Sequence, residues 1–331
     1  MKMFKKILAR LGIFLGATLL VVLVAFLAMI HMIVKGPSTQ VRNLFVTSVK
    51  ETSAGGILAD IFLTPEEVET ILAQNSMASE GGITIEIDKE LIQIPDENAN
   101  PEQPAIEIVD VYGALYRGKM MIIKDPSKVK VGVCDVFDPN GHGLKLTEIC
   151  EKYGAIAGVN GGGYTDTWGS GKGGCPIGIV FSEGKLLYGN LNTTYDVYGF
   201  DKDNNFIVGR MTAQQAIDRG IRDAVSFGPA LVVNGKPVAS YGTSGGLNPR
   251  TAIGQRADGS VLLLVIDGRQ ATSIGATYAD LVNVMLEFGA VNAANLDGGM
   301  SSSMVYEGSE ILNNCSVNGA RDIPTAFVVM E

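Results

Sequence analysis

Apolar runs that end in glycine-rich polar clusters dominate residues 261–304, VLLLVIDGRQATSIGATYADLVNVMLEFGAVNAANLDGGMSSSM. The run Val261–Ile266 has the length and branched composition of a buried strand. Tyr278–Phe288 instead carries its apolar residues on one face of a helix, and Gly289 follows as a C-terminal stop. Strand, helix and polar turn therefore succeed one another in a short length of chain.

From about residue 105 onward, short β-rich runs are likewise separated by Gly, Asn and Asp turns. Further strands are predicted at Met120–Ile123, Val129–Val133, Ile177–Phe181, Val197–Phe200, Phe206–Val208, Ala230–Val233 and Ala326–Met330. Further helices are predicted at Leu146–Tyr153 and Ala213–Arg219. Because strands outnumber helices and the two do not alternate regularly, we expect an α+β fold. It would have a strand-rich mixed sheet core with a few helices, preceded by one N-terminal transmembrane helix.

The N-terminal segment is apolar enough to span a bilayer. No residue from Leu11 to Ile30 is charged, and about 20 apolar residues cross a membrane as a helix. No small-residue cleavage site follows, so we expect an uncleaved signal-anchor at residues 11–34 rather than a cleavable signal peptide. Four cations lie within residues 1–10, which places this tail in the cytoplasm and the body outside it. The protein is therefore expected in the cell membrane with a single span.

The composition argues against some classes of partner and some kinds of catalytic site. The formal net charge is -9 although the N-terminal tail is basic, so the body is strongly acidic. This argues against nucleic acid as a partner, since affinity for phosphate backbones comes largely from Lys and Arg. His31 and His142 are the only histidines. A His-rich zinc site cannot be assembled, and a Ser-His-Asp triad would have to use His142.

Residues 35–104 separate the anchor from the strand-rich region. Within them Thr64–Glu67 predicts the start of a short helix that continues to about Ala73. Ile83–Ile94 alternates in part and could be a strand, whereas Pro95–Pro104 is a linker or exposed loop. We therefore divide the chain into a basic tail (1–10), an anchor (11–34), a juxtamembrane or stalk region (35–104) and one larger domain (105–331).

Four polar clusters flanked by glycine follow strand-like runs or lie close to them. Glycine after a strand lets the backbone turn tightly or approach a ligand closely. Any one cluster could be a plain loop with Asx turns, but four such clusters together favour a functional site. The clusters lie at Ile156–Tyr164, at Ser226–Ala230, at Asn248–Gly254 with Val265–Arg269, and at Ala294–Met304.

In this order the clusters resemble the phosphodiester glycosidase domain family, the type found in the lysosomal uncovering enzyme, N-acetylglucosamine-1-phosphodiester α-N-acetylglucosaminidase. The matching signals are VNGG at 159–162, FGPAL at 227–231, NPRTAIG at 248–254 and NLDGG at 295–299. The resemblance covers roughly residues 110–331, and Met300 stands where the family more often has Gly. Anchored members are typical of bacterial envelopes and are often exopolysaccharide-related.

The resemblance implies hydrolysis of a sugar-1-phosphodiester on an envelope glycan or related glycoconjugate, releasing a free sugar such as N-acetylglucosamine and a phosphomonoester. Glycosyl transfer passes through an oxocarbenium-like state that carboxylates stabilise or attack. We assign Asp297 as the leading catalytic carboxylate, Asp267 as its partner and Arg250 as a bidentate phosphate ligand. Substrate-binding roles are predicted for Asn160, Gly161, Gly162, Thr251, Arg269, Asn295, Gly298, Gly299, Ser301 and Ser302.

Several alternatives stay open at this stage. Asp267 could simply cap a tight turn, and Arg269 could pair with it at the surface. The domain could bind an envelope polysaccharide without cleaving it, or could be a hydrolase or acyl transferase with Ser302 as nucleophile and His142 or Lys172 as base. No cofactor is required by the pattern. A divalent cation would be compatible with the Asp297 cluster, although no ligand spacing demands one.

Overall fold

The computed structural model describes residues 2–52, 55–78, 87–94, 105–166, 171–312, 314–316 and 319–331. The helices in these residues are α1 Lys2–Lys35, α2 Thr39–Lys50, α3 Ile57–Asp60, α4 Pro65–Gln74, α5 Leu146–Tyr153, α6 Ala213–Asp218 and α7 Tyr278–Glu287. The strands are β1 Ile106–Tyr112, β2 Arg117–Ile123, β3 Val129–Val133, β4 Ala155–Asn160, β5 Val180–Ser182, β6 Lys185–Tyr188, β7 Thr194–Asp201, β8 Phe206–Thr212, β9 Ile221–Val225, β10 Ala230–Val233, β11 Lys236–Pro237, β12 Arg250–Arg256, β13 Val261–Ile266, β14 Ala290–Leu296, β15 Met304–Tyr306, β16 Ser309–Glu310 and β17 Thr325–Met330.

The strands form three sheets in which every described pairing is antiparallel. The first sheet has seven strands in the order β1-β2-β13-β12-β14-β10-β11. The second has the order β16-β15-β4-β17-β3, and the third has the order β6-β5-β9-β7-β8. The α+β class with a strand-rich core is therefore confirmed.

Strand β13 is buried on both faces, which explains its uninterrupted apolar run. Leu262 and Leu264 pack with Leu281 of α7 in one hydrophobic core. Leu263 and Val265 point the other way, into a second core to which all three sheets contribute. Successive side chains of a strand face opposite sides of its sheet. Both faces of the first sheet are covered at this strand, so a polar residue would be costly at any of these positions.

Two strands that carry the site, β12 and β14, were not predicted from the sequence. Their sequences, RTAIGQR and AVNAANL, contain Ala, Asn and Gly, which are depleted in strands. Both strands nevertheless pair on each side within the first sheet, with Ile253 opposite Leu263 and Ala294. Tertiary pairing therefore outweighs the local propensity of these residues.

One predicted strand, Ile83–Ile94, is wrong in the part that the structure describes. Lys89–Leu91 form a 3-10 turn, because the side chain of Asp88 accepts a hydrogen bond from the N–H of Glu90. Residues 83–86 and the predicted linker Pro95–Pro104 lie outside the described residues.

The N-terminal helix α1 is long and apolar enough to cross a membrane. Most of its large apolar side chains up to Met29 are exposed, whereas Ile30 and Val34 are buried. These two residues pack with α2, α3 and α4, which together we call the cap. Helix α4 starts at Pro65 as predicted, with Thr64 and Glu67 closing a capping box. The cap and the end of α1 thus share a small hydrophobic core of their own.

Candidate active site

Two strand ends from different sheets meet at Asp297. This residue directly follows β14, and Asn160 is the last residue of β4. The Nδ2 of Asn160 donates to the carbonyl oxygen of Asp297 at 2.6 Å. The N–H of Asp297 donates to the carbonyl oxygen of Gly161 at 3.1 Å. These bonds join the first sheet to the second and fix the backbone that carries the carboxylate.

The carboxylate of Asp297 is held within a short chain of hydrogen bonds. The N–H of Gly298 donates to its Oδ1 at 3.0 Å, and the Ser301 hydroxyl is also bonded to it. The Oγ of Ser301 lies 3.2 Å from the hydroxyl of Tyr164. Burial raises the pKa of Asp297 to about 6, outweighing the bonds from Ser301 and Gly298. Asp297 therefore titrates close to neutral pH, which suits a group that exchanges a proton.

Asp297 lies in a cavity of about 540 Å³, a volume typical of sites for small molecules. Three cations and three carboxylates share its walls. They are Arg250, Arg269, Arg321, Glu51, Asp166 and Asp297. Gly298, Gly299 and Ser301 also line this cavity. The arrangement can accommodate an anionic group beside a carboxylate.

The guanidinium of Arg250 is largely occupied by the protein itself. Its Nε donates to the carbonyl of Ala276 at 3.2 Å, and its Nη2 donates to two further backbone carbonyls. The group lies 4.3 Å from the centre of the Tyr278 ring, while Nη1 is 3.6 Å from Oε2 of Glu51. The bidentate phosphate grip expected for Arg250 is therefore not available in this arrangement, because only Nη1 is left for a ligand.

The other two arginines are held at the cavity by different contacts. The Nη2 of Arg269 donates to Oδ1 of Asn248 at 2.9 Å. Its backbone has φ +56°, a left-handed conformation that non-glycine residues rarely adopt and that is frequent at functional sites. The Nη2 of Arg321 lies 3.3 Å from Oδ1 of Asp166, so this pair brings a cation and a second carboxylate to the cavity.

Asp267 does not join Asp297, contrary to its predicted role as catalytic partner. It lines a different cavity, of about 320 Å³, together with Arg117 and Lys119 of β2. Strand β13 is separated from β14 by β12, and the Asp267 N–H bonds to the carbonyl of Arg117 on the opposite side. Burial raises the pKa of Asp267 to about 6, against the effect of the Lys119 charge.

Asn160, Thr251 and Asn295 are fully buried and bond to the protein rather than face the cavity. Oδ1 of Asn160 accepts from the Thr251 hydroxyl at 2.7 Å, and Nδ2 of Asn295 donates to the carbonyl of Gly228 at 2.7 Å. The two amides and the Thr251 hydroxyl therefore hold strand ends together.

Gly161 and Gly162 lie behind the cavity, since both of their N–H groups bond to Thr325. A Cβ on Gly161 would lie 2.7 Å from the Thr325 hydroxyl oxygen, and one on Gly162 would lie 2.7 Å from the carbonyl of Ser226. We conclude that these glycines permit close packing of backbones, whereas Gly298 and Gly299 are the glycines at the cavity wall.

Several cavity residues were given no role from the sequence. Tyr164, Phe227 and Asn248 lie inside the clusters that were recognised, so their neighbours could have indicated them. Asp166, Arg321 and Glu51 had no local signal of this kind. Only the folded chain brings Glu51 of the cap to Arg250 and Arg321 to Asp166.

The alternative with Ser302 as nucleophile lacks the required contacts. The Ser302 hydroxyl is buried and has no hydrogen-bond partner among the residues that the structure describes. His142 is an exposed residue whose Nδ1 lies 3.3 Å from Asp322. Neither His142 nor Lys172 therefore contacts Ser302 as a general base would.

No group of three or more His, Cys, Asp and Glu side chains is placed to hold a metal ion in the described part of the chain.

Comparisons with known proteins agree with this architecture. The fold resembles the catalytic domain of zebrafish N-acetylglucosamine-1-phosphodiester α-N-acetylglucosaminidase, auto-inhibited by its pro-peptide, with a TM-score of 0.57 and 20% identity. That match covers 70% of this chain and 85% of the zebrafish chain. A protein of Burkholderia pseudomallei K96243 described as exported matches with a TM-score of 0.50 and 17% identity, over 65% of this chain and 74% of its own.

Sequence comparison gives a relative and a family. YomE, an uncharacterized SPbeta prophage-derived protein of Bacillus subtilis strain 168, is 34% identical over 155 residues. The match covers 45% of this chain and 21% of YomE, so the chain spans about a fifth of that relative. Residues 153–330, more than half of the chain, match the phosphodiester glycosidase family. The chain belongs to the phosphodiester glycosidase family.

Proposed function

We propose that this protein hydrolyses a sugar-1-phosphodiester by breaking the glycosyl C–O bond. The observation that carries the proposal is the presence of Asp297, with a pKa raised to about 6 by burial, and three arginines in one cavity. Family membership favours the same reaction class. N-acetylglucosamine is the first sugar to test, because the zebrafish structural relative is named for that sugar.

In the proposed reaction Asp297 acts as general base. It takes a proton from a water molecule, whose oxygen forms a bond to the anomeric carbon of the sugar. The bond between that carbon and the bridging oxygen breaks, and the phosphate keeps the electron pair. The products are the free sugar and a phosphomonoester. Because the phosphomonoester leaves as a stable anion, no separate acid is needed to protonate it. Attack by the Asp297 carboxylate itself, followed by hydrolysis of the glycosyl ester, is the retaining version.

Arg269, Arg321 and Nη1 of Arg250 would stabilise the phosphate together, each with one or two N–H groups. This shared arrangement replaces the bidentate grip by Arg250, whose other nitrogens hold backbone carbonyls. Charge-assisted hydrogen bonds in a partly buried cavity are stronger than those in water, so the developing negative charge is favoured there.

Two cavity groups would orient the reactants. Burial raises the pKa of Tyr164 to about 12, so its hydroxyl keeps its proton and can donate to Ser301 beside Asp297. Asp166 is held by Arg321 and by the N–H of Gly171, at 3.3 and 2.6 Å. We assign the role of second carboxylate to Asp166 in place of Asp267, which lies in the second cavity.

The location of the reaction follows from α1. We propose that this helix anchors the chain in the cell membrane, with the basic tail in the cytoplasm and residues 105–331 outside it. An envelope glycan or glycoconjugate would then be the substrate.

The test is release of reducing sugar by the full chain in detergent from a panel of α-sugar-1-phosphodiesters, beginning with N-acetylglucosamine esters. Asp297→Asn should lower the rate at least a hundredfold. Asp267→Asn is the matched control, because this carboxylate also has a raised pKa but lies in the second cavity. Equal loss in both variants, or full activity in a folded Asp297→Asn, would contradict the proposal.

A further inference from the structure

We infer that the substrate is a sugar-1-phosphodiester whose second ester group is a membrane lipid, held in the same bilayer as the enzyme. The inference rests on the proposed function and on α1 as a membrane anchor. It names the group beyond the phosphate, and it is drawn from the way the cap connects α1 to the cavity.

The cap is packed directly onto the end of α1. Ile30 and Val34 are 1% and 0% exposed, and they share a hydrophobic core with Val46 of α2 and Ile71 of α4. Earlier in α1 the large apolar side chains are mostly exposed, which is the surface that a bilayer would cover. Burial of α1 side chains by the cap begins at Ile30, although Met32 remains exposed. We place the end of the lipid-facing part of α1 near this position.

The cap is also fixed to the catalytic body, by polar contacts. The Ser48 hydroxyl accepts from the N–H of Leu247 at 2.9 Å, and the hydroxyls of Thr47 and Thr243 lie 3.1 Å apart. Oδ1 of Asn75, the residue after α4, accepts from the N–H of the same Thr243 at 2.9 Å. These contacts from α2 and from the residue after α4 converge on residues 243–247 and attach the cap to the strand-rich domain.

The cap forms one wall of the Asp297 cavity, through Glu51 and the two residues Thr52 and Gly55. Oε2 of Glu51 accepts from the Tyr278 hydroxyl at 3.1 Å and lies 3.6 Å from Nη1 of Arg250. One wall of the cavity therefore belongs to the same folded segment as the end of α1, and on this ground we place the cavity at the level of the lipid headgroups.

A lipid phosphodiester places its sugar and phosphate at this height. Its hydrocarbon chains stay in the bilayer, and enzyme and substrate then meet by diffusion in two dimensions. Confinement of this kind raises the effective concentration by orders of magnitude without any additional contact. A soluble substrate gains nothing from a cavity held near the membrane, so the packing of the cap against both α1 and the cavity favours the lipid ester.

The test reconstitutes the full chain in phosphatidylcholine vesicles with the substrate in one of three forms. The first is the dialkylglycerol phosphodiester of α-N-acetylglucosamine in the same vesicles, and the second is this lipid in separate vesicles. The third is the water-soluble methyl phosphodiester of the same sugar at equal total concentration. An Asp297→Asn protein provides the background rate for each form.

We expect sugar release from the lipid in the same vesicles to be at least tenfold faster than from the other two forms. Equal rates for the methyl ester and the lipid ester would overturn the lipid inference and leave the proposed glycosidase function intact. Release from none of the three forms by a folded protein would count against both.

Discussion

The side-chain amide of Asn160 donates a 2.6 Å hydrogen bond to the backbone carbonyl of Asp297, joining the ends of β4 and β14. The same side chain accepts from the Thr251 hydroxyl and from the N–H of Ser303. We therefore expect Asn160 to affect the proposed reaction through the position of Asp297 and not by touching the substrate.

Replacing Asn160 by Ala should lower the free energy of unfolding by about 2–4 kcal/mol, because buried partners would be left without hydrogen bonds. Urea unfolding measures this loss, with exposed Asn190→Ala as the matched control. A variant as stable as wild type would contradict the role given to this side chain.

The rate should depend on the ionisation of Asp297. Burial raises the pKa of this group to about 6, and a general base must be ionised. We therefore expect kcat/KM to rise with pH up to about 6 and to level off above it. Asp267 also has a pKa raised to about 6 by burial, so Asp267→Asn must be measured beside wild type. Loss of the inflection in Asp267→Asn, or a rate that falls with rising pH, would show that Asp297 is not the base.

Arg250 should be needed for folding as well as for phosphate binding. It is 3% exposed, and its Nε and Nη2 satisfy backbone carbonyls that lysine cannot reach together. We expect Arg250→Lys to lower the free energy of unfolding by about 3 kcal/mol. Arg256→Lys, at the partly exposed end of the same strand, should change it by less than about 1 kcal/mol. Comparable stability of the two variants in urea unfolding would contradict this account.

Glu51 should weaken the binding of anions in the cavity, since its carboxylate lies 3.6 Å from Nη1 of Arg250. Glu51→Gln keeps the shape and removes the charge. We expect the variant to bind a sugar-1-phosphate about threefold to tenfold more tightly in calorimetry, a gain of about 0.7–1.4 kcal/mol. Glu66→Gln, on the exposed surface of the cap, is the control and should leave the Kd unchanged. Weaker binding by Glu51→Gln would mean that Glu51 helps to hold the ligand.

The strands and helices that could be predicted are those in which the pattern of apolar and polar residues matches the burial of each face. Val261–Ile266 is apolar throughout because both faces of β13 are covered, and the prediction matches the observed strand. Ala290–Leu296 lies equally deep, but its Ala and Asn residues have low strand propensity. This segment is a strand because it pairs with β12 and β10, and these partners cannot be recognised from residues 290–296 alone.

The same limit applies to the candidate site. Asp297 was indicated by the glycines and serines around it, of which Gly298, Gly299 and Ser301 lie at the cavity and Ser302 does not. Asp267 is also followed by a glycine, but β12 lies between its strand and β14, and Asp267 lines the second cavity. The order of strands in a sheet cannot be predicted from the local sequence. The pair Asp166 and Arg321 and the contact of Glu51 with Arg250 each join distant parts of the chain. Only tertiary folding creates them.

Hydrolysis in water enriched in oxygen-18 tests the central claim most directly, with the products analysed by mass spectrometry. Cleavage of the glycosyl C–O bond predicts that the label enters the anomeric hydroxyl of the released sugar and that the phosphomonoester remains unlabelled. Label in the phosphomonoester would mean attack at phosphorus, and it would contradict the role assigned to Asp297 and the reaction proposed for this protein.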